Sequence, residues 1–416
     1  MTAPILLSTV GSLGDLFPVL ALARALRARG QPVRLLLGPD DRDTAAGLGI
    51  EATAFGPDSA TVAARLGMDL DAIARQVFRD PSPILRRATY PMLADLAREM
   101  QPHARGCRAV GWTALAMAAP LAAELEGVPH VPILLQPMLM RSALAPPRVR
   151  GFVPPMIPRP GGRLAVGWNR IWLGVVDLEM RRRHGRAQAR VRKELGLPPT
   201  NAVPFFGHAL EPALRLGLWD PVLGTPPKDA AAVEVTGFSA LPGDEDLPDR
   251  LRGFLDAGPP PFVVTLGSVS HRLAGRDFWD RAVRLGRAAG MRMVLLSGPV
   301  YAPRGDDILA LSFAPHAPLF ARAGVVLHHG GMGTLGRALH AGVPQLILPL
   351  GADQPDNAAR AERLGVARRL RGQVDGPKAV EDLEAMRQRA DVAQALAARL
   401  IPDGAARAAD LMMSRF

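Results

Sequence analysis

Short apolar runs alternate with amphipathic stretches along the chain, which is the pattern of strands and helices in α/β proteins. Pro4–Val10 and Pro32–Leu37 predict buried strands, and Pro18–Arg29 between them has helical spacing that ends before Gly30. A strand, a helix and a second strand in this order predict a right-handed crossover between parallel neighbours.

The second half of the chain starts this pattern again. Pro261–Leu266 and Met291–Leu296 predict strands on either side of a helix over Phe278–Ala289. Two separate starts predict two domains. The predicted division is a first domain over 1–235, a linker rich in Pro and Gly over 236–260, a second domain over 261–400 and a terminal helix over 401–416.

The residues between 324 and 364 carry the densest candidate chemistry. Gly324–Leu327 predicts a strand, which runs into the sequence HHGGMGT and a helical pattern over Leu335–His340. Pro344–Leu350 predicts the next strand, followed by Asp353 and Gln354. The candidate ligand contacts in the turn are His328, His329, Gly330, Gly331, Gly333 and Thr334.

The position of these residues suggests their ligand. The carboxyl ends of parallel strands meet at one sheet edge, where open α/β sheets bind ligands. A Gly-rich turn at a helix N-terminus favours phosphate, and an acid and an amide at the next strand end suit hydroxyl groups. The pattern therefore predicts a nucleotide sugar. The alternative, a structural turn with core histidines, is disfavoured because two adjacent imidazoles cannot both point into one apolar core.

This segment resembles the donor-binding signature of the UDP-glycosyltransferase superfamily, in the bacterial form with HHGG-x-GT followed by a DQ pair. AGVPQLILPLGADQPDNAARAERLGVA is most similar to the rhamnolipid and macrolide glycosyltransferase branch. The resemblance favours His328 as the residue that faces the phosphates, with His329 packed behind it, and leaves the reverse assignment open. It also implies that Phe313 and His316 stand where the family has the tryptophan and glutamine that hold the base. The identity of the nucleotide, UDP or dTDP, therefore stays open.

The first loop of the chain has two interpretations. Its sequence, GSLGD, lacks the glycine that dinucleotide-binding G-x-G-x-x-G turns place at the pyrophosphate, which disfavours an oxidoreductase. It is similar to the G-x-x-G-D acceptor loop of bacterial glycosyltransferases, which implies that Gly11, Ser12 and Gly14 form the loop and Asp15 is the catalytic base. The alternative is that Asp15 caps the helix predicted from Pro18.

Composition predicts a cytoplasmic globular protein. The 416 residues are 48% hydrophobic and 21% charged, with one cysteine, Cys107, and no signal-peptide pattern at the N-terminus. No Cys/His set has metal-ligand spacing, so we expect neither a metal site nor a cofactor.

The net charge of +11 is concentrated in Arg141–Lys193, which holds thirteen Arg or Lys and two acids. Charge alone gives little support to nucleic-acid binding. Leu164, Trp168, Trp172 and Val175 form an apolar stripe at helical spacing beside these arginines. An interfacial helix has this composition. We therefore predict a hydrophobic or lipid acceptor and peripheral contact with an anionic membrane, against the alternative of a packed stripe with solvated arginines.

The fold predicted from these features is two Rossmann-like domains facing each other across a cleft, the glycosyltransferase B architecture. The resemblance implies an inverting, metal-independent transfer of sugar to a hydroxyl, with domain closure and a terminal helix crossing back onto the first domain. Ser268, His328 and the turn N–H groups would offset charge on the leaving diphosphate. The non-enzymatic alternative is a protein of this fold that binds nucleotide sugar or lipid without turnover.

Overall fold

The computed structural model describes residues 2–148, 155–239, 246–267, 274–298, 301, 303 and 305–416. The chain divides into two compact units. The first is Met1–Leu241 together with Pro402–Phe416, and the second is Pro242–Ile401. The change of unit falls inside the predicted 236–260 linker.

The first unit contains, among its described residues, a sheet of seven parallel strands in the order β3-β2-β1-β4-β5-β6-β7. Its strands are β1 Ile5–Thr9, β2 Val33–Leu37, β3 Thr53–Ala54, β4 Ala109–Trp112, β5 His130–Leu134, β6 Leu216–Gly217 and β7 Glu234–Val235. Its helices are α1 Leu13–Ala28, α2 Pro39–Gly47, α3 Ser59–Leu66, α4 Leu70–Arg79, α5 Ser82–Ile84, α6 Tyr90–Ala104, α7 Ala118–Glu126 and α8 Arg163–Glu194, with a π-helical turn at Leu85–Thr89 and 3₁₀ turns at Pro137–Met140 and Pro221–Leu223.

The second unit contains, in the part that the structure describes, six parallel strands in the order β10-β9-β8-β11-β12-β13. Its strands are β8 Phe262–Thr265, β9 Met293–Leu296, β10 Ile308–Leu311, β11 Val325–His328, β12 Gln345–Ile347 and β13 Ala367–Arg369. Its helices are α9 Asp249–Asp256, α10 Arg276–Ala288, α11 His316–Phe320, α12 Met332–His340, α13 Gln354–Arg363, α14 Pro377–Arg387 and α15 Ala390–Ala397.

The two sheets share one topology. Every residue of β1 and of β11 is buried, as expected for parallel strands covered by helices on both faces. In each sheet the strand order reverses where the first strand pairs with the fourth, β1 with β4 and β8 with β11. This reversal is the position at which such sheets bind ligands beyond the strand ends.

Helix α1 begins at Leu13, five residues before the predicted start at Pro18. Ser12 is its N-cap, and the Asp15 carboxylate accepts a hydrogen bond from the Ser12 backbone N–H in a capping box. The capping box sets the start of α1 at Leu13, and Pro18 lies inside the helix. Asp15 therefore belongs to the first helical turn and not to a loop.

One segment outside the sheets also differs from the prediction. Leu251 and Leu255 of α9 are buried in the core of the second unit, so the part of the predicted linker that forms α9 is folded there. The last helix, α16 over Gly404–Arg415, buries Met412 in the same core as β1 and pairs Asp410 with Arg29 at 2.6 Å. Within the described ranges, no helix has the length and apolarity that a membrane span requires.

Candidate functional site

The side chain of His329 lies at the point where the strand order of the second unit reverses, between β8 and β11. β8 runs into Gly267, and β11 runs into His329. A Cβ atom at Gly267, where φ is +69°, would lie 2.7 Å from His329 Cε1, and one at Gly331 would collide with His329 Nε2. The two glycines thus leave room for the imidazole over the reversal. Ser268, the predicted phosphate partner, lies outside the described residues.

His328 is directed into the sheet, which reverses the predicted arrangement. Its side chain is fully buried, Nε2 donates to Gln345 Oε1 at 2.9 Å, and Nδ1 accepts from the Gly330 N–H at 3.1 Å. Burial lowers the pKa of His328 to about 4, so the ring is neutral, and both nitrogens are occupied. The sequence could not distinguish the two histidines because a strand buried on both faces gives no alternation.

His329 instead presents an unused nitrogen. Its Nδ1 is buried and has no hydrogen-bond partner among the described residues. Burial, followed by the neighbouring His328 and His316, lowers the pKa of His329 to about 3. A buried polar atom without a partner is uncommon in folded proteins and indicates a ligand or water that completes it.

The Gly-rich turn leads from this ring to a helix N-terminus. Gly330 has φ of +90°, and a Cβ atom there would lie 2.8 Å from Ile347 Cγ2, so the turn requires glycine. Gly331 is the N-cap of α12, and the first N–H bonded within the helix is that of Leu335, to Gly331 O at 3.0 Å. The N–H groups of Met332, Gly333 and Thr334 therefore form the orphan donors of the first turn, which suit an anion.

The acid and amide after β12 have different roles. Gln354 is buried, and its Oε1 accepts the N–H groups of Leu350 at 2.7 Å and Gly351 at 3.3 Å. Its carbonyl oxygen therefore shapes the loop, which the sequence did not reveal. The half-buried Asp353 carboxylate accepts from Asn357 Nδ2 at 2.6 Å. The sequence pattern indicates Asp353 and Gln354 but not Asn357, although the i, i+4 spacing of Asn357 from Asp353 places both on the same helix face.

The predicted base-binding residues lie at the entrance to α11. Phe313 follows β10 and is 68% exposed, so its ring is accessible. His316 begins α11 and stacks on Phe320, with ring centroids 4.8 Å apart. Burial lowers the pKa of His316 to about 3, so this ring is also neutral.

The strand reversal of the first unit holds Asp15. Its Oδ2 accepts hydrogen bonds from the Ser12 N–H at 2.8 Å and the Ser12 hydroxyl at 3.0 Å, and a Cβ atom at Gly11 would collide with it. Burial raises the pKa of Asp15, and the hydrogen bonds from Ser12 oppose this shift in part. A raised pKa makes the carboxylate a better proton acceptor.

Sequence reasoning missed two features beside Asp15. Thr9 at the end of β1 and Thr113 just past β4 join their hydroxyls at 2.8 Å across the reversal. Asp41, at the start of α2, has a pKa raised to about 6 by burial and by the charges of Asp40 and Asp15. The signal available for Asp41 was the acidic pair directly after β2.

Comparison with known proteins identifies relatives over most of the chain. Residues 300–412 match the family model of the erythromycin biosynthesis protein CIII-like C-terminal domain. The chain is 34% identical to a vancomycin aglycone glucosyltransferase of Amycolatopsis orientalis over 87% of this chain and 84% of that protein. It is 29% identical to a dTDP-epi-vancosaminyltransferase of the same organism, over 90% and 86% respectively.

The solved structure of the kitacinnamycin glycotransferase superposes with a TM-score of 0.71 at 21% identity, covering 100% of this chain and 99% of that one. At this identity the likeness speaks for the fold alone. It confirms the predicted fold class, two Rossmann-like α/β domains of the glycosyltransferase B architecture.

Proposed function

The chain belongs to the bacterial UDP-glycosyltransferase superfamily, and from that premise we propose that it moves a sugar from a nucleoside diphosphate to a hydroxyl of a hydrophobic aglycone. The thymidine-linked donor is the preferred candidate, because the relative at 29% identity is named for a dTDP-sugar. The acceptor class follows from the relative at 34% identity, which is named for an aglycone.

The observation that carries the proposal is the chemistry at the two strand reversals. Asp15 takes the proton of the acceptor hydroxyl as its oxygen attacks the anomeric carbon. The bond from that carbon to the diphosphate breaks on the opposite face, so the reaction inverts the sugar. The departing diphosphate gains negative charge, which His329 Nδ1 and the first-turn N–H groups of α12 stabilise.

The remaining contacts to the nucleotide sugar are assigned from the exposure of the side chains around the site. Phe313 offers an accessible ring for the base, and His316 next to it takes the place of the family glutamine. Asp353 binds sugar hydroxyls, with Gln354 holding the loop that presents it. Fixed protein donors carry the leaving-group charge in this scheme, so the reaction needs neither a metal nor a cofactor, and a chelator should leave the rate unchanged.

A panel of nucleotide sugars tests this function. We expect one dTDP- or UDP-sugar to raise the melting temperature and to be hydrolysed slowly without acceptor. The Asp15→Asn variant is the matched control, because it should bind the same donor and lose transfer. Protection without turnover in the presence of aglycones would favour the non-catalytic binding protein, and protection by nicotinamide dinucleotides alone would favour the oxidoreductase.

We further propose that the first unit contacts an anionic membrane surface through α8. The exposed apolar residues of its N-terminal half lie on one face at spacings of four and three residues, and they are Leu164, Trp168, Ile171, Val175 and Leu178. Trp172, which the sequence placed in this stripe, is instead half-buried against Trp168. Leu164 is 92% exposed, whereas apolar residues of this size are usually covered.

The C-terminal half of the same helix supplies the charge that fits such a surface. Arg182, Arg186 and Lys193 are exposed and continue the line of the apolar stripe. Other members of the basic segment are structural, since Arg192 is buried and binds Glu124 at 2.7 Å, and Arg183 binds Glu179. Basic residues close to an anionic leaflet contribute about 1 kcal/mol each. This complementarity favours a membrane over a second, equally basic copy of the chain.

Co-sedimentation with vesicles containing anionic lipid measures this contact. Binding should fall with salt and should be lost when Arg182, Arg186 and Lys193 are replaced by glutamine. The control variant replaces Arg65, Arg75 and Arg79, which are exposed on α3 and α4, and removes the same charge. Equal loss in both variants, or self-association without vesicles, would contradict the assignment of α8.

A further inference from the structure

Asn357 lies beneath the proposed donor site and joins its two ends. It is fully buried in α13. Its Nδ2 donates to the Gly330 carbonyl at 3.0 Å and to Asp353 Oδ2 at 2.6 Å. Both partners are acceptors, so the amide nitrogen must face them, and its two hydrogens are used. Its Oδ1 is buried without a partner among the described residues.

Both the N–H and the carbonyl group of Gly330 form hydrogen bonds to side chains in this arrangement. Its N–H donates to His328 Nδ1 at 3.1 Å, and its carbonyl accepts from Asn357. Neither group is left for a ligand. His328 and Asn357 therefore determine where the Gly-rich turn lies, while His329 and the N-terminus of α12 remain for the diphosphate.

We propose that Asn357 is a positioning residue that couples sugar recognition to diphosphate binding. It holds the Asp353 carboxylate at a fixed distance from the Gly330 turn. The sugar and the diphosphate of the nucleotide sugar are therefore bound at a fixed distance from each other. The inference rests on the proposed function, because it assigns Asp353 to the sugar. The unpartnered Oδ1 supports it, since a buried acceptor without a partner is destabilising and a smaller apolar residue would avoid it.

The measurement is the ratio of dissociation constants for thymidine diphosphate and thymidine diphosphate glucose, by calorimetry. Asp353→Asn should change this ratio. Asn357→Ala should change it in the same direction, about tenfold if one hydrogen bond of about 1.4 kcal/mol is lost. The double variant should change the ratio little more than either single variant does, because both substitutions remove the same Asn357–Asp353 hydrogen bond.

Asn357→Asp gives a readout that a purely structural residue would not show. It places a second carboxyl at hydrogen-bond distance from Asp353, and two such groups share a proton. The shared proton restores one donor, so the ratio should return towards the wild-type value as the pH is lowered from 8 to 5.5. The terminal phosphate of thymidine diphosphate itself titrates at about pH 6, so the ratio for the variant is compared with the wild-type ratio at each pH.

Asn169 provides the matched control. It is also a fully buried asparagine, in the first unit, and its Nδ2 donates to Ala143 O at 2.8 Å and Ile157 O at 2.9 Å. Asn169→Ala should lower stability and leave the ratio unchanged. If Asn357→Ala also weakens both ligands equally, or the ratio for Asn357→Asp follows pH in the same way as the wild-type ratio, the coupling role is wrong. If Asp353→Asn leaves the ratio unchanged, the sugar assignment of the proposed function fails first.

Discussion

The two strand reversals of this protein have the same topology and opposite chemistry. In the first unit burial raises the pKa of a carboxyl group, Asp15, and in the second it lowers the pKa values of His316, His328 and His329. Desolvation favours the neutral form in both cases. For the acid this strengthens proton acceptance. For the imidazoles it leaves neutral rings, of which His329 has an unpartnered nitrogen beside a helix N-terminus. One physical effect thus prepares a base in one unit and an anion site in the other.

The largest effect should come from removing the base. Asp15→Asn keeps the size of the side chain and the hydrogen bonds from Ser12, so donor binding should persist while kcat falls by about two to four decades. Steady-state transfer rates and donor titrations on the same preparation measure both quantities. A near-normal kcat with saturating acceptor would show that Asp15 serves only in the capping box.

The next effect separates the two histidines. His329→Ala should weaken thymidine diphosphate binding by about one to two decades, the range for a hydrogen bond to a charged group. His328→Ala removes two buried hydrogen bonds and should mainly lower the melting temperature. Calorimetry and thermal melting on both variants test this. Loss of diphosphate affinity only in the His328 variant would restore the arrangement expected from sequence.

The pH dependence distinguishes the two sites directly. A base is active when deprotonated, so kcat/KM should rise with pH through the pKa of Asp15, which lies above the ordinary 3.8. His329 stays neutral above about 3 in the free protein and should add no step near 6.5. Asp41 has a pKa of about 6, so its titration could be mistaken for that of Asp15. The profile of Asp41→Asn is the control, since a step that disappears in this variant belongs to Asp41. A step near 6.5 that disappears in His329→Gln would contradict this assignment.

The smallest effect concerns the backbone before Asp353. Ala352 has φ of +52°, a left-handed conformation that costs about 1 kcal/mol or more for a residue with a Cβ atom. Ala352→Gly should relieve this strain, partly offset by the greater freedom of glycine in the unfolded chain. Urea unfolding should therefore show a change within about 1 kcal/mol, with the sugar preference retained. A large loss of stability would mean that the alanine methyl group is packed.

The sequence predicted the parts of this molecule that depend on local pattern. The strands, the Gly-rich turn and the positions of Asp15 and Asp353 follow from apolar runs and turn residues. What it could not predict depends on contacts between elements. The direction of His328 is decided by Gln345 on the next strand, and the importance of Asn357 is decided by the Gly330 carbonyl. Helix α1 began early because a capping box outweighed the proline signal.

The interpretation of α8 shows the same division. Helical spacing marked the stripe, but whether Trp172 or Ile171 belongs to it depends on which side packs on the first unit. Ile171 is 63% exposed, while Trp172 is half-buried. Likewise, charge counting found the basic segment, and only the structure separates the ion-paired Arg192 from the exposed Arg182.

The placement of α16 has a consequence for the order in which this protein is made. The core around β1 includes Ala408, Ala409 and Met412, which are fully buried and lie at the other end of the chain. During synthesis the second unit is complete when residue 401 emerges, whereas the first unit still lacks one wall of its core. The N-terminal unit, whose first strand is made at the start of the chain, is therefore the last to complete its core, and until then the face that α16 covers stays exposed.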